Sequence, residues 1–381
     1  MSRYKIKNLA IEISNRIDSP KTCGYDRFVG LEHYDSGEVL ISRYGRTDNL
    51  DSSVKLFKNG DILIARRNVY LKRAGLVQFD GVTSGDSIVI RANDKTIQRL
   101  LPFVFNTKDF WDFANQFADG SMSKRLSPKI LMEYETELPD TEEERLKLAD
   151  LLWSIIETKN LYKEMIVMND LLVKARFIEL FEKSSKVVDF KDYVWFQEGP
   201  GVRSVDFRDS GTILLTGSNI NDNKISFGYN SDRFISNELA NGKYNHFMCK
   251  KDDILAVTSA ISPNKFDEKI VVVEEDNIYC LNTGIIRFRP NTNFITRTYF
   301  KEFMKSDYFK NQVSENMRGV CQMHFGPSHL KKMKLLLPES LMVQNEFDDF
   351  VKKTENSIKS LKLGIEMLEK LYLKIIKQYL Y

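Results

Sequence analysis

The chain is written twice. Residues 127–140, SPKILMEYETELPD, and residues 326–339, GPSHLKKMKLLLPE, share their punctuation 199 positions apart. At that offset Phe110 falls on Phe309, Gly120 on Gly319, Leu126 on Phe325, Pro128 on Pro327, Leu131 on Leu330, Leu138 on Leu337 and Pro139 on Pro338. So many matches at one offset mark an internal duplication, and whatever the first half builds the second must build again. FKNGDILIA (57–65) echoes CKKDDILAV (249–257) at an offset of 192, so an insertion of seven residues separates the copies further on.

Each copy has two parts. The first runs over 1–139 and again over 186–338. It is rich in strand-like runs punctuated by Gly, Asn and Asp: DILIA (61–65), GLVQF (75–79) and DSIVIRA (86–92), then GTILLTG (211–217), DILAVT (253–258), KIVVVEE (269–275) and GIIRFRP (284–290). Each closes with one helical patch, FVFNTKDFWDFANQF and RTYFKEFMKSDYFKNQV. The second part, 140–185 and again 339–381, is helical. Its stretches 140–182 and 339–380 hold no Pro and one Gly, Gly364, and open on Asp140 and Glu339.

In the last stretch Phe347, Val351, Thr354, Ile358, Leu361, Ile365, Leu368, Tyr372, Ile375 and Tyr379 alternate steps of four and three, and nine of the ten are apolar. That 3.5 period is a coiled-coil seam with a left-handed twist. The same positions in the central stretch are Leu148, Leu152, Ile155, Lys159, Tyr162, Ile166, Asn169, Val173, Arg176 and Leu180, with polar breaks at Lys159, Asn169 and Arg176. A helix of about 40 residues is roughly 60 Å long, and its apolar stripe needs a cover. The other copy's helix, running antiparallel, is the cheapest one. That arrangement would place the two domains at opposite ends of a rod. Packing on its own domain or on a second chain are the alternatives. The fold class expected is therefore α+β: two duplicated domains, each followed by a long helix, the helices pairing as an antiparallel coiled coil. Glu142, Glu143, Glu144, Arg145, Lys159, Lys163, Lys352, Lys353, Lys359 and Lys370 fall on the outward helix faces.

Composition excludes several classes. The net charge of +3 is too small for a histone-like chain, so a nucleic-acid surface would be local. Cys23, Cys249, Cys280 and Cys321 lie far apart with no CxxC, which argues against zinc and against a disulfide framework. His33, His246, His324 and His329 make no metal spacing. No GxxxxGK loop holds a nucleotide, and no Asn-Pro-Pro-aromatic tetrapeptide holds a flipped base. EGPGVR (198–203) reads as a tight turn, since no helix pattern follows it. DEK (267–269) is a fragment of a nuclease carboxylate–lysine set without its partner Asp. The opening stretch lacks the apolar core of a signal peptide and no run of 18 apolar residues exists, so a cytoplasmic protein with no membrane contact is expected.

The order of domain, Leu-Pro closure, long helix, domain, closure and long helix resembles the specificity subunit of type I restriction–modification enzymes. DRFVGLEHYDSG (26–37), GDILIARRNVYLKRAGLVQFDG (60–81), FADGSMSKRLSPKILMEYETELP (117–139), VWFQEGPGVRS (194–204) and GPSHLKKMKLLLPES (326–340) read like that family's target-recognition domains. The chain departs from the pattern in two places. GSMSK and GVCQM stand where the family has a Gly-Ser-x-Gln turn, and Glu137 and Leu336 stand where the closure has its first Pro. The resemblance implies a non-catalytic subunit. Each domain would read half of a split sequence in double-stranded DNA, with the helices setting the gap. Two methylation subunits and the restriction/translocase subunits would be its partners. S-adenosylmethionine, ATP and Mg would sit on those partners, with no cofactor in this chain.

DNA reading needs cations for phosphates and forked or amide side chains for base edges. The first domain offers Arg66, Arg67, Asn68, Tyr70, Lys72 and Arg73 in RRNVYLKR, Arg43, Tyr44 and Arg46 in RYGR, and Ser121, Ser123, Lys124 and Arg125 in GSMSKR. The second offers Ser218, Asn219, Asn221 and Lys224, then Ser259, Asn264 and Lys265 in the stretch aligned with the first basic loop, and Arg318, Gln322 and His324 in the turn aligned with 118–125. A solvated charged face is the bland reading of each. The competing reading of the whole chain is a structural scaffold whose duplicated domains bind proteins, without salt-dependent DNA binding.

Overall fold

The structure is a computed structural model that describes residues 1–120, 123–228, 232–315 and 323–380. It divides into two compact units, Met1–Glu164 with Leu361–Tyr381, and Met165–Ser360. Each long helix, Glu142–Phe177 and Leu341–Tyr379, contributes one segment to each unit.

In the first unit one sheet has the strand order Ala10–Ile13, Ser87–Ala92, Ile62–Ala65, Ala74–Val77, Leu40–Ile41, antiparallel up to its last, parallel pair. A second sheet runs Arg16–Ile17, Val54–Phe57, Gly81–Thr83, Arg27–Val29, Gly45–Arg46. Strand Ile62–Ala65 is buried at every position because side chains alternate across a strand and both faces are covered. Ile62 and Ile64 join the core under the helices, while Leu63 and Ala65 join a second core with Val29, Phe57 and Val77. The expected helical patch is two helices, Lys95–Val104 and Lys108–Phe117. Thr107 separates them, its Oγ1 accepting from the Phe110 amide at 3.2 Å, a cap that sets a new helix start.

The second unit repeats the plan. Its main sheet is Val194–Glu198, Ile285–Pro290, Ile254–Val257, Ile270–Val272. Its smaller sheet is Phe207–Arg208, Arg233–Ile235, Thr212–Leu215, Tyr279–Leu281. Its patch is likewise broken, into Arg297–Lys305 and Asp307–Glu315. Both copies close on a two-stranded pair leading into a long helix, Ser2–Lys5 with Glu135–Leu138 and Lys186–Asp189 with Lys334–Leu337.

One device recurs where the duplication is plainest. Asp61 and Asp253, the acids of GDILIA and DDILAV, are 1% and 2% exposed and accept from the amides of Lys58 at 2.7 Å and Lys250 at 2.8 Å. The turn before each needs a left-handed residue: Gly60 at φ 90° in one copy, Asp252 at φ 68° in the other. Each buried carboxylate takes an arginine from the strand beside it, Arg91 on Asp61 and Arg289 on Asp253. Asp253 also takes the buried Arg287, whose pKa is pushed down by burial against the upward pull of that carboxylate.

The helices pair antiparallel within each unit, along the expected seam. Leu148, Leu152, Ile155 and Ile375 are buried in the first unit's core. Val173, Phe347 and Val351 are buried in the second's, where Phe177 and Phe181 set their rings on Phe347. Tyr162, Ile166, Ile358, Leu361, Ile365, Leu368 and Tyr372 are half-buried along the same line. The start of the central helix is closed by a reciprocal cap, Thr141 Oγ1 accepting from the Glu144 amide and the Thr141 amide donating to Glu144 Oε2. The polar breaks each find a partner. Lys159 lies inside the seam rather than on an outward face, its side chain 12% exposed and its Nζ 3.5 Å from Glu38 and 3.9 Å from Glu369. Asn169 donates to the Met165 carbonyl and Arg176 pairs with Glu179.

Candidate nucleic-acid interface

In the first unit two of the three basic stretches singled out in the sequence meet. The Asn68 amide donates to the Lys124 carbonyl at 2.8 Å and the Leu126 amide to the Arg66 carbonyl at 2.8 Å, so residues 66–68 lie against 124–126. Asn68 turns the chain at φ 56°. Ser123 Oγ donates to Asn68 Oδ1 at 3.0 Å and accepts from Arg67 Nε at 3.1 Å. Asp86 sits between the two arginines that flank this contact. Its Oδ1 is 2.8 Å from Arg125 and its Oδ2 is 3.6 Å from Arg67, and both arginine side chains remain 48% exposed. Tyr70, at 58% exposed, stands on the short helix that follows.

Other members of this stretch brace it from within. Arg73 donates to the carbonyls of Leu31 and Arg67, and Lys124 Nζ to the carbonyl of Asn115. Nε of Arg66 is buried with no acceptor among the described residues. Lys72 is exposed and itself turns left-handed at φ 51°. RYGR lies elsewhere in the first unit. Arg43 is held by Asp35 and Arg46 by Asp48, while the half-exposed Tyr44 sets its ring against Phe79 at 59°, the centres 5.2 Å apart. Arg27 lies over both rings, its Cζ 5.0 and 5.2 Å from their centres. Neither Arg27 nor Asp86 was legible in the sequence, because a single arginine or aspartate inside a strand or turn pattern carries no signal of its partner.

The second unit holds the matching turn. The Thr258 amide donates to the Gly284 carbonyl as the Arg66 amide does to Asp86, and the Phe325 amide to Thr258 as Leu126 does to Arg66. Ala260 turns at φ 59° where Asn68 does. Ser259 pairs with His324 across the two strands, Oγ 3.0 Å from the ring Nδ1. Lys265 is exposed nearby. Ser121, Arg318 and Gln322 lie outside the described residues, as does the side chain of Asn264.

The polar loop 217–224 is built otherwise than its composition suggests. Asn219 is 1% exposed. Its Oδ1 accepts from Thr216 and its Nδ2 donates to Ser226 and Asp232, so no edge remains for a base. Asn221 donates to the Ser218 carbonyl and accepts from Lys269, and the Ser218 hydroxyl is in contact with Thr216. Lys224 is exposed but faces a groove of about 600 Å³ with Glu274, Glu275 and Glu355, carboxylates that repel phosphate. The DEK stretch is likewise structural. Asp267 pairs with Lys174 and Lys310, and Lys269 donates to the carbonyls of Gly217 and Ile220. Among the described residues no cluster of His, Cys, Asp and Glu could hold a metal ion.

No protein-family model matches the chain, and no curated protein does. Solved structures do. A chain from work on complex assembly and conformational transition of the type I R-M system aligns over 99% of this chain and 96% of its own, with a TM-score of 0.58 at 15% identity. The S subunit of a type I restriction–modification system from M. genitalium aligns over 99% and 95%, with a TM-score of 0.56 at 15% identity. The fold is that of the type I S subunits. The alignments span nearly the whole of both chains, so the likeness of fold extends over both units and both long helices of this chain. Among the described residues no helix is long and apolar enough to cross a membrane.

Proposed function

We propose that the chain is the non-catalytic DNA-recognition subunit of a type I restriction–modification complex, its two domains reading the two halves of a bipartite target. One observation carries this reading. Two copies of one domain, in the S-subunit fold, each end a strand-and-turn scaffold in exposed polar side chains of different chemistry. The first turn places Arg67, Lys72 and Arg125 at the surface. A cation such as Lys72 there fixes the protein on phosphates, and directional donors such as the two guanidiniums read base edges. The paired helices then set the gap between the halves. Methylation and restriction/translocase subunits supply S-adenosylmethionine, ATP and Mg chemistry, for which this chain shows no motif.

The test is selection from random duplex DNA by the full chain bound to its methylation subunit, at two salt concentrations. Two short specified halves around a fixed gap are expected, with affinity falling steeply as salt rises. A complex that binds no duplex even at low salt would favour the protein scaffold. Adding one heptad to each helix keeps the seam and lengthens it by about 10 Å. The preferred gap should then grow by about three base pairs, given about 3.4 Å per pair. An unchanged gap would remove the helices from that role.

A further inference from the structure

The two turns share one backbone and differ in what they carry. Positions Arg66, Arg67, Asn68, Asp86 and Leu126 superpose by hydrogen bond and by left-handed turn on Thr258, Ser259, Ala260, Gly284 and Phe325. Arg125 opposes Arg67 across the bridge, as His324 opposes Ser259. A Cβ added to Gly284 would come 3.1 Å from Ser259 Cβ, so the Asp86 position borders the Arg67 position in the second copy too. The scaffold is constant, and the side chains are the variable.

We propose that this turn is the base-reading element of each domain. Arg67 and Arg125, bracketed by Asp86, read guanine in one half-site, and Ser259 with His324 reads a base pair by a different contact in the other. The inference rests on the bipartite reading above and adds the residues and the base. Three observations favour base edges over phosphate for the arginine pair. First, the pair with its carboxylate carries one net positive charge rather than two, which weakens a purely Coulombic phosphate clamp. Second, each guanidinium is tethered, Arg67 through Nε to Ser123 with Asp86 3.6 Å from its Nη1, and Arg125 through Nη2 to Asp86, which restricts its orientation. A fixed fork is what bidentate contact with guanine O6 and N7 requires. Third, both side chains stay half exposed, so the fork is presented to a ligand. Among the described residues the second copy has no fork at this place. A serine hydroxyl and an imidazole, 3.0 Å apart, replace it. A single hydroxyl or ring nitrogen cannot make the two-point contact to guanine that a guanidinium makes.

The experiment repeats the duplex selection with Arg67→Lys, Arg125→Lys, Ser259→Ala and His324→Gln in the full chain bound to its methylation subunit. Lysine keeps the charge and loses the fork. Each lysine variant should lower the preference for guanine at one position of one half by about ten- to a hundredfold, leave the other half intact, and bind non-specific duplex as the parent does. The Ser259 and His324 variants should change the opposite half only. The untouched half reports that each variant is folded. Guanine preference undiminished in both lysine variants, or both halves weakened alike, would overturn the inference while a split parental motif still stood. A parent chain that selects no split motif would instead overturn the bipartite reading itself.

Discussion

The two copies solve one problem with unequal means. Both bury an aspartate at the start of a fully buried strand and tie it to an arginine of the neighbouring strand. In the first unit that is the whole device, and Arg91 is 43% exposed. In the second, Asp253 holds two arginines, one of them 3% exposed, and both guanidiniums lie about 5 Å from the ring centre of Trp195, at 5.2 and 5.0 Å. The lesson is that duplication preserves backbone solutions and frees side chains. At the buried aspartate the freedom was used for packing. At the exposed turn it produced two different chemical surfaces.

The comparison can be broken most sharply at the aspartates. Asp253→Ala leaves Arg287 buried without its carboxylate, and such a loss costs about 3–5 kcal/mol. Asp61→Ala leaves only the partly exposed Arg91 and should cost clearly less. Denaturant unfolding of the two variants measures the gap, and equal losses would mean that the copies are energetically equivalent after all. Next come the seams. Leu152→Ala removes a fully buried side chain from the first unit and should cost about 2–5 kcal/mol. Leu361→Ala, at a half-buried seam position, should cost less in the same assay. A smaller effect follows from Gly364, the glycine of the long helices. A Cβ there would stand 2.7 Å from the Tyr162 ring. Gly364→Ala therefore sets overpacking of about 1–3 kcal/mol against a helix-propensity gain of about 1 kcal/mol. A net loss in melting temperature is expected, and its rescue by Tyr162→Leu would confirm the clash.

The smallest effect is electrostatic. Glu38 in the first unit meets Lys159 and Lys163 of the central helix. Burial raises its pKa, but the two lysines outweigh burial and the net shift is downward. A carboxylate with a depressed folded pKa adds stability above its unfolded pKa, and that contribution is lost as pH falls through the folded value. Glu38→Gln should cost under about 1 kcal/mol at neutral pH, because the pair is partly solvent-screened. The difference from the parent should vanish in acid. A difference that persists at low pH would assign the effect to packing rather than charge.

The layout was legible because its signals are local and periodic. Every position stepped by four and three from Phe347 to Ile375 is buried or half-buried. The aligned strands DILIA and DILAV became Ile62–Ala65 and Ile254–Val257. The helical patches show no internal boundary in sequence because their apolar content is continuous. The capping hydroxyl of Thr107 and the break at Ser306 decided otherwise. The candidate interface was legible only as three separate stretches per copy, two of which the structure brings together in each. That residues 66–68 would lie on 124–126 depends on tertiary hydrogen bonds that no spacing announces. Asn219 shows the converse. Its sequence context is that of a polar loop, and its burial comes from partners as distant as Asp232.

The bipartite reading is tested most directly by sequencing modified bases in cells that co-express this chain with the methylation subunit proposed as its partner. The account predicts a new split motif: two short specified halves around a fixed gap, one half requiring guanine. A verified active complex that leaves no new modification anywhere in the genome would contradict it.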